Sequence, residues 1–430
     1  MAGFLVLGAL TGCLGVKRAD SIIEADLPYL RSTQMDAGDA STIELMQKAI
    51  EREPSLRSPG VRSQTEGSRI LALSGGTEWG AYGAGYLSRL FDAQNRGVES
   101  SDQIDYRTYK VVTGVSTGAL LAVYAFIGDS DGMRIYTRIS QEDIIRRRGI
   151  GLLLQRGSGL TSTAPLKRLI RDEIDDEHLQ QVLAERREGR SLLVGTVDMD
   201  SGSFHTFDLT ALAEDALNQP DARDLYVRIL LASAAVPLAM PAVWIGETPH
   251  IDGGVRNSIF AVDDSLEASR PDGQGLTNRS FNSLLIESLK RARAREVPQP
   301  SPGSVRPSSD RQGSGIVGID MIINGQIILE PQRREVISPL DAGLRALEIL
   351  LAERAEDDRK AAQEVSDFLE ARITTADVAV SEPDPCPIPD TFFDTAFMNC
   401  LFRKGQEQAG EWATPDSYLQ DVMQVRRAGK

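Results

Sequence analysis

Three scarcities frame this 430-residue chain. It carries 47 lysines and arginines against 62 aspartates and glutamates, a formal net charge of −15. A chain this short of positive charge is a poor partner for polyanions, because phosphate binding needs a basic stripe. Nucleic acid is thereby excluded as a partner, and anionic membrane surfaces are disfavoured on the same electrostatic ground. No stretch of the chain approaches the roughly 18 to 20 uninterrupted apolar residues of a spanning helix, which excludes a polytopic membrane protein. Histidine and cysteine number three each. No cluster among them has metal-ligand spacing, so no catalytic metal and no cofactor is expected.

The remaining composition is that of a folded body. With 41% hydrophobic and 25% charged residues, the chain has material for a sizeable core in one large or two modest domains. The first residues stand apart. Phe4 to Leu10 form a short apolar run, and Leu10-Thr11-Gly12-Cys13 resembles the lipobox of bacterial lipoproteins. That resemblance implies a signal over residues 1–13, lipid on Cys13, and a membrane-anchored protein of the bacterial cell envelope facing the periplasm. Met1-Ala2-Gly3 lacks the positive charge of a secretory leader, so a frayed apolar terminus with a chance cysteine stays open. In an oxidising compartment Cys386 and Cys400 form a possible disulfide whose loop closure contributes about 3 kcal/mol, although spacing alone does not show bonding.

Composition divides the rest. Residues 14–68 are polar and rich in Ser, Pro, Gly and Arg towards their end, and read as a tether. Residues 69–335 carry the strand and helix signals of a catalytic domain, with an exposed Pro- and Ser-rich loop over 296–315. Residues 336–430 read as a helical and irregular C-terminal cap, with a strong helix over Leu340 to Ile373. Ile70 to Leu73, Tyr109 to Thr113 and Ser191 to Val197 are short apolar runs ending in turn residues, the pattern of buried strands. Gly80 to Leu90 and Ala119 to Ile127 read as the helices that follow the first two. Strands alternating with helices predict an α/β fold with a central, mostly parallel sheet flanked by helices.

Gly114-Val115-Ser116-Thr117-Gly118 is a G-x-S-x-G sequence at a strand-to-helix junction. The serine sits in a strained turn with its hydroxyl at the helix N-terminus, and the glycines remove side chains that would collide two residues to either side. With 38 glycines in the chain such a pentapeptide is weak evidence alone, and the context strengthens it. A serine nucleophile needs a base. His178 lies in the acidic run Asp175-Asp176-Glu177-His178 and reads as a solvated surface residue. His205 lies in an alternating strand, as a structural or edge residue. His250 is the one candidate for a Ser-His pair. Nearby, Asp252-Gly253-Gly254 follows the apolar segment Ala242 to Ile245, so a carboxylate emerges at a strand end with glycines allowing close backbone approach.

Ser74-Gly75-Gly76 through Gly80-Ala81-Tyr82-Gly83-Ala84-Gly85, then Gly114 to Gly118, then Ala232-Ser233-Ala234-Ala235 with Pro237 and Pro241, then Asp252-Gly253-Gly254-Val255 resemble, in order, the blocks of the patatin-like phospholipase family. Gly159-Leu160 and Ala164-Pro165-Leu166 add to the likeness, which runs from about Arg69 to Ile259. The resemblance implies a lipid acyl hydrolase acting on a lipid ester through a Ser-Asp dyad, with Ser116 as nucleophile and Asp252 as base. Amides of Gly75, Gly76 and Thr77 are suited to an oxyanion hole ahead of a helix N-terminus.

The chain also departs from the family's pattern. Thr77, Glu78 and Trp79 precede Gly80 where the family has a third glycine and then a basic residue or asparagine. Thr77 tolerates positive φ badly, Glu78 brings negative charge near a developing oxyanion, and Phe260 stands where the family commonly has proline. A Ser116–His250 esterase, and a non-catalytic envelope scaffold or lipid-binding lipoprotein, stay open as rivals. Arg146-Arg147-Arg148 with Ile150 to Leu154 is the one basic and apolar patch, read either as a lipid-facing entrance or as an ordinary helix end.

Overall fold

The computed structural model describes residues 23–35, 68–95, 104–144, 146–147, 161–260, 316–325, 329, 339–369, 372–377, 386–387, 389 and 393–412. The expected lipobox at Cys13, the 296–315 loop, Gly159-Leu160 and the Arg148 to Leu154 part of the basic patch lie outside the described residues. Among the described residues no helix is long and apolar enough to cross a membrane.

Nine strands form one sheet: β1 (Gln34–Met35), β2 (Ser68–Leu73), β3 (Tyr109–Val115), β4 (Ser191–Asp198), β5 (Phe204–Asp208), β6 (Val243–Ile245), β7 (Thr248–Asp252), β8 (Ile316–Ile323) and β9 (Arg372–Asp377). Their order is β1-β5-β4-β3-β2-β8-β9, with β7 also paired to β4 and β6 to β7. The run from β4 to β9 is parallel, whereas β1, β5, β6 and β7 pair antiparallel. The parallel strands are apolar on both faces because helices flank the sheet. Ile70 to Leu73, Val111, Val112 and Leu192 to Val194 are all buried.

Beside the sheet lie α1 (Leu27–Thr33), α2 (Gly80–Asn95), α3 (Thr117–Ile127), α4 (Ala164–Glu173), α5 (Asp176–Arg187), α6 (Leu209–Asn218), α7 (Pro220–Ser233), α8 (Pro339–Leu369) and α9 (Thr395–Glu407). Their starts follow from local chemistry. Asp175, Asp208 and Asp394 each accept an N–H of the first turn of α5, α6 and α9, and Pro165 and Pro220 occupy first-turn positions where no N–H is needed.

Two boundaries drawn from composition do not hold. The polar tether expected over 14–68 already packs on the body at residues 23–35. Asp26 is fully buried, paired with Arg228 of α7 and accepting the Gly246 N–H at 2.8 Å, and β1 extends the sheet beside β5. A short buried ion pair and a two-residue strand leave almost no apolar signal in sequence. At the other end, the described part of 336–430 is not all helical and irregular. The expected helix ends at Leu369, and Arg372–Asp377 becomes β9, an edge of the same sheet.

α9 packs on α2, with Trp79 edge-on to Phe397 at 5.1 Å between centroids and Gly405 giving the Tyr82 carbonyl room where any Cβ would collide. Cys386 and Cys400 are joined in a disulfide that ties the chain before α9 to the helix itself.

Candidate active site

Sheet register brings the serine and the aspartate together. On one edge of β4, β3 runs as far as Val115, paired with Gly195. β7 then takes over that edge, with Asp252 paired to the next residue, Thr196. Ser116 therefore leaves the sheet where Asp252 enters it. Ser116 holds φ 55° and ψ −127° as N-cap of α3, a strained conformation kept by its surroundings. A Cβ at Gly114 would lie 2.4 Å from the Gly118 carbonyl oxygen, and one at Gly118 would lie 2.3 Å from that of Leu73. Both glycines of the motif are thus sterically required.

Ser116 is 5% exposed and Asp252 3%. Burial pushes the Asp252 carboxyl up to about 7, against the opposing effect of the nearby Ser116 side chain and of the Gly254 N–H at 2.8 Å. Ser233 of α7 fixes the serine backbone, accepting the Ser116 N–H at 3.0 Å while donating to the Gly195 carbonyl at 2.7 Å. The block around Ala232-Ser233-Ala234 thereby has a physical reason.

The glycine loop lies against the serine, with the Cβ position of Gly75 only 3.1 Å from Ser116 Cβ. The expectation that all three amides of Gly75, Gly76 and Thr77 serve as donors is corrected at one position. The Gly75 N–H is already given to the Ser258 carbonyl at 2.9 Å, so Gly75 acts through its lack of a side chain. The amides of Gly76 and Thr77 have no partner among the described residues. Thr77, expected to resist positive φ, adopts φ 51°. That conformation puts strain in one residue of the loop. The Glu78 carboxylate accepts the Phe393 N–H at 3.1 Å, and burial raises its carboxyl to about 7. Phe260 is buried edge-on to Phe204, and its carbonyl accepts the Thr113 hydroxyl.

Two residues that hold this loop were missed in the sequence. Asn324, fully buried just after β8, donates its N–H to Ser74 Oγ at 2.7 Å and its Nδ2 to the Ser74 carbonyl at 2.9 Å, and accepts the Gly83 N–H at 3.1 Å. Its carbonyl presses on Gly76, where a Cβ would lie 1.3 Å away. Asp358 of α8 accepts the N–H groups of Ser258 and Ile259 at 2.7 and 3.1 Å, which fixes the peptide that receives the Gly75 N–H. The apolar run Ile316 to Ile323 closed by Asn324-Gly325 was the readable signal for the first. Asp358 sits in a charged helical half with no signal at all.

The histidines behave differently from one another. His250 is buried with both ring nitrogens within reach of threonine hydroxyls, Thr196 at 2.9 Å and Thr248 at 3.0 Å, and burial pulls it down to about 4. Among the described residues it makes no bond to Ser116. His205 is stacked edge-on to it at 5.5 Å. His178, expected to be solvated, is buried, its Nε2 without a partner, and burial lowers it to about 4. It shares a helical stripe with Leu179, Val182 and Glu185, whose packing overrides the acidic neighbours.

From Ser116 a cavity of about 120 Å³ runs between α3 and α4, its walls almost wholly apolar. Thr77 and Phe393 line it together with Ser116, and Glu173 is its one charged lining residue among the described residues.

Residues 71–263 match the family model for patatin-like phospholipase. Among solved structures, the crystal structure of VipD from Legionella pneumophila aligns with 84% of this chain and 67% of its own, at 11% identity and a TM-score of 0.30. No curated protein matches the chain.

Proposed function

Because residues 71–263 form a patatin-like phospholipase domain, a family of lipid acyl hydrolases, we propose that this protein cleaves lipid carboxylic esters with Ser116 as nucleophile and Asp252 as its base. The observation that carries the reading is the sheet register that sets Ser116, at the mouth of an apolar cavity, beside the buried carboxylate of Asp252. A carboxylate with its affinity for protons raised to about 7 is a better base for an alcohol than a solvated one.

Ser116 Oγ attacks the ester carbonyl as its proton passes to Asp252, giving a tetrahedral oxyanion. The N–H groups of Gly76 and Thr77 and the positive end of α3 stabilise that charge. Collapse expels the alcohol, which takes the proton from Asp252 and leaves an acyl-Ser116 ester. Asp252 then removes a proton from water as the water attacks the acyl carbon, and the proton returns to Ser116 as the fatty acid departs. No metal enters these steps.

The test is labelling of the purified protein with a fluorophosphonate probe, comparing wild type with Ser116→Ala and Asp252→Asn. Labelling of wild type alone is the expected result, and an unlabelled but folded wild type contradicts the proposal. The same reading has the protein held at a bacterial envelope membrane by lipid on Cys13. Incorporation of radiolabelled palmitate by wild type but not by Cys13→Ala, in bacterial cells expressing the chain, checks it.

A further inference from the structure

The cavity beside Ser116 has a length set by two facing helical stripes. On α3, Thr117, Leu120 and Tyr124 face the cavity, and on α4, Leu166, Ile170 and Glu173 do. Thr117 to Tyr124 and Leu166 to Glu173 each span two turns, roughly 10 Å along the axis. Where the stripes end they are joined: the Tyr124 hydroxyl donates to Glu173 Oε2 at 2.8 Å. An otherwise apolar channel therefore closes on a polar crossbar about 10 Å from the nucleophile.

We propose that α3 and α4 form a chain-length ruler that selects acyl groups of about eight to ten carbons. The inference rests on the hydrolase reading above. With the acyl carbon bonded to Ser116, an extended chain of roughly eight methylenes fills 10 Å.

Up to that length each methylene leaves water for apolar surface, which raises kcat/KM about fourfold per methylene. Beyond it the chain must break the Tyr124–Glu173 bond and press hydrocarbon on a half-buried carboxylate, which is unfavourable. Glu173 is thus a specificity-determining residue that touches the end of the substrate, not its reacting centre.

The experiment measures kcat/KM of the full chain on p-nitrophenyl esters from acetate to palmitate. The expected profile climbs to octanoate or decanoate and falls by at least tenfold at palmitate. Leu120→Trp, one turn from the serine, moves the optimum to butyrate or shorter, and Glu173→Ala moves it at least two carbons longer. A profile that keeps rising to palmitate, or an optimum unmoved by both variants, overturns the ruler while leaving the hydrolase intact.

Displacement of a fluorescent fatty acid from Ser116→Ala by graded free fatty acids reads the cavity without catalysis. Tightest binding at eight to ten carbons supports the ruler even if no ester is cleaved, and binding independent of length overturns it. Loss of fluorophosphonate labelling in wild type strikes the hydrolase reading alone.

Discussion

The stretch that matches the patatin-like family and the C-terminal part beyond it do different work on the same few atoms. Residues 71–263 hold the groups proposed to react, Ser116 after β3 and Asp252 at the end of β7, together with the amides of Gly76 and Thr77. The later part contributes no group that touches the reacting atoms, yet Asn324 grips the glycine loop from one side and Asp358 fixes the Ser258 peptide that receives the Gly75 N–H. β8 and β9 also supply two of the five parallel strands. The first region is built around a chemical arrangement, and the second holds that arrangement to within the small tolerances catalysis demands.

The sharpest way to separate the two is substitution on each side. Ser116→Ala or Asp252→Asn should lower ester hydrolysis by about 10⁴-fold or more with little change in melting temperature, because each removes a reacting group. Asn324→Ala should lower kcat by about 10²-fold with KM nearly constant, as misplacement of a catalytic donor by about 1 Å does. It should also cost on the order of 1 to 3 kcal/mol in stability, since the Ser74 carbonyl and the Gly83 N–H lose a buried partner. Asn324→Asp, which keeps the acceptor for Gly83, should recover part of that stability but not the kcat. If Asn324→Ala instead behaves like wild type in kcat, the division of labour fails.

Two smaller effects refine the contrast. Replacing both Cys386 and Cys400 by serine should cost about 3 kcal/mol, read as a lower denaturant midpoint, while the folded variant still takes the fluorophosphonate label. Asp358→Ala should lower stability by about 1 to 3 kcal/mol through the two N–H groups it leaves bare, with a loss in kcat smaller than that of Asn324→Ala.

The same contrast explains what was readable in the sequence. β2, β3 and β4 were legible because parallel strands buried on both faces are continuous apolar runs. The elbow was legible because sterics force glycine at Gly114 and Gly118. Asp252 stood out through its glycines and the neighbouring blocks. The grip of Asn324 on Ser74 and of Asp358 on Ser258 was not legible, because a buried hydrogen bond spanning 250 residues, or 100, leaves no local pattern.

β9 was absorbed into the preceding helix, since Arg372-Ile373-Thr374 alternates too briefly to announce a strand. The tether misreading has the same cause at Asp26, whose burial is explained by Arg228 and the Gly246 N–H, 202 and 220 positions away. Gly75 was assigned a donor's role because sequence shows that an amide exists and not that Ser258 already holds it.

The account turns on Asp252 being the base for Ser116, and the most direct measurement is the pH dependence of the fluorophosphonate labelling rate in wild type, Asp252→Asn and His250→Gln. With its carboxyl raised to about 7, Asp252 is protonated and inert below that pH and ionised above it. The wild-type rate should therefore rise with pH through a midpoint near 7. Asp252→Asn should be slow at every pH, and His250→Gln should follow wild type. A wild-type profile in Asp252→Asn, or a rate abolished in His250→Gln, would contradict the dyad.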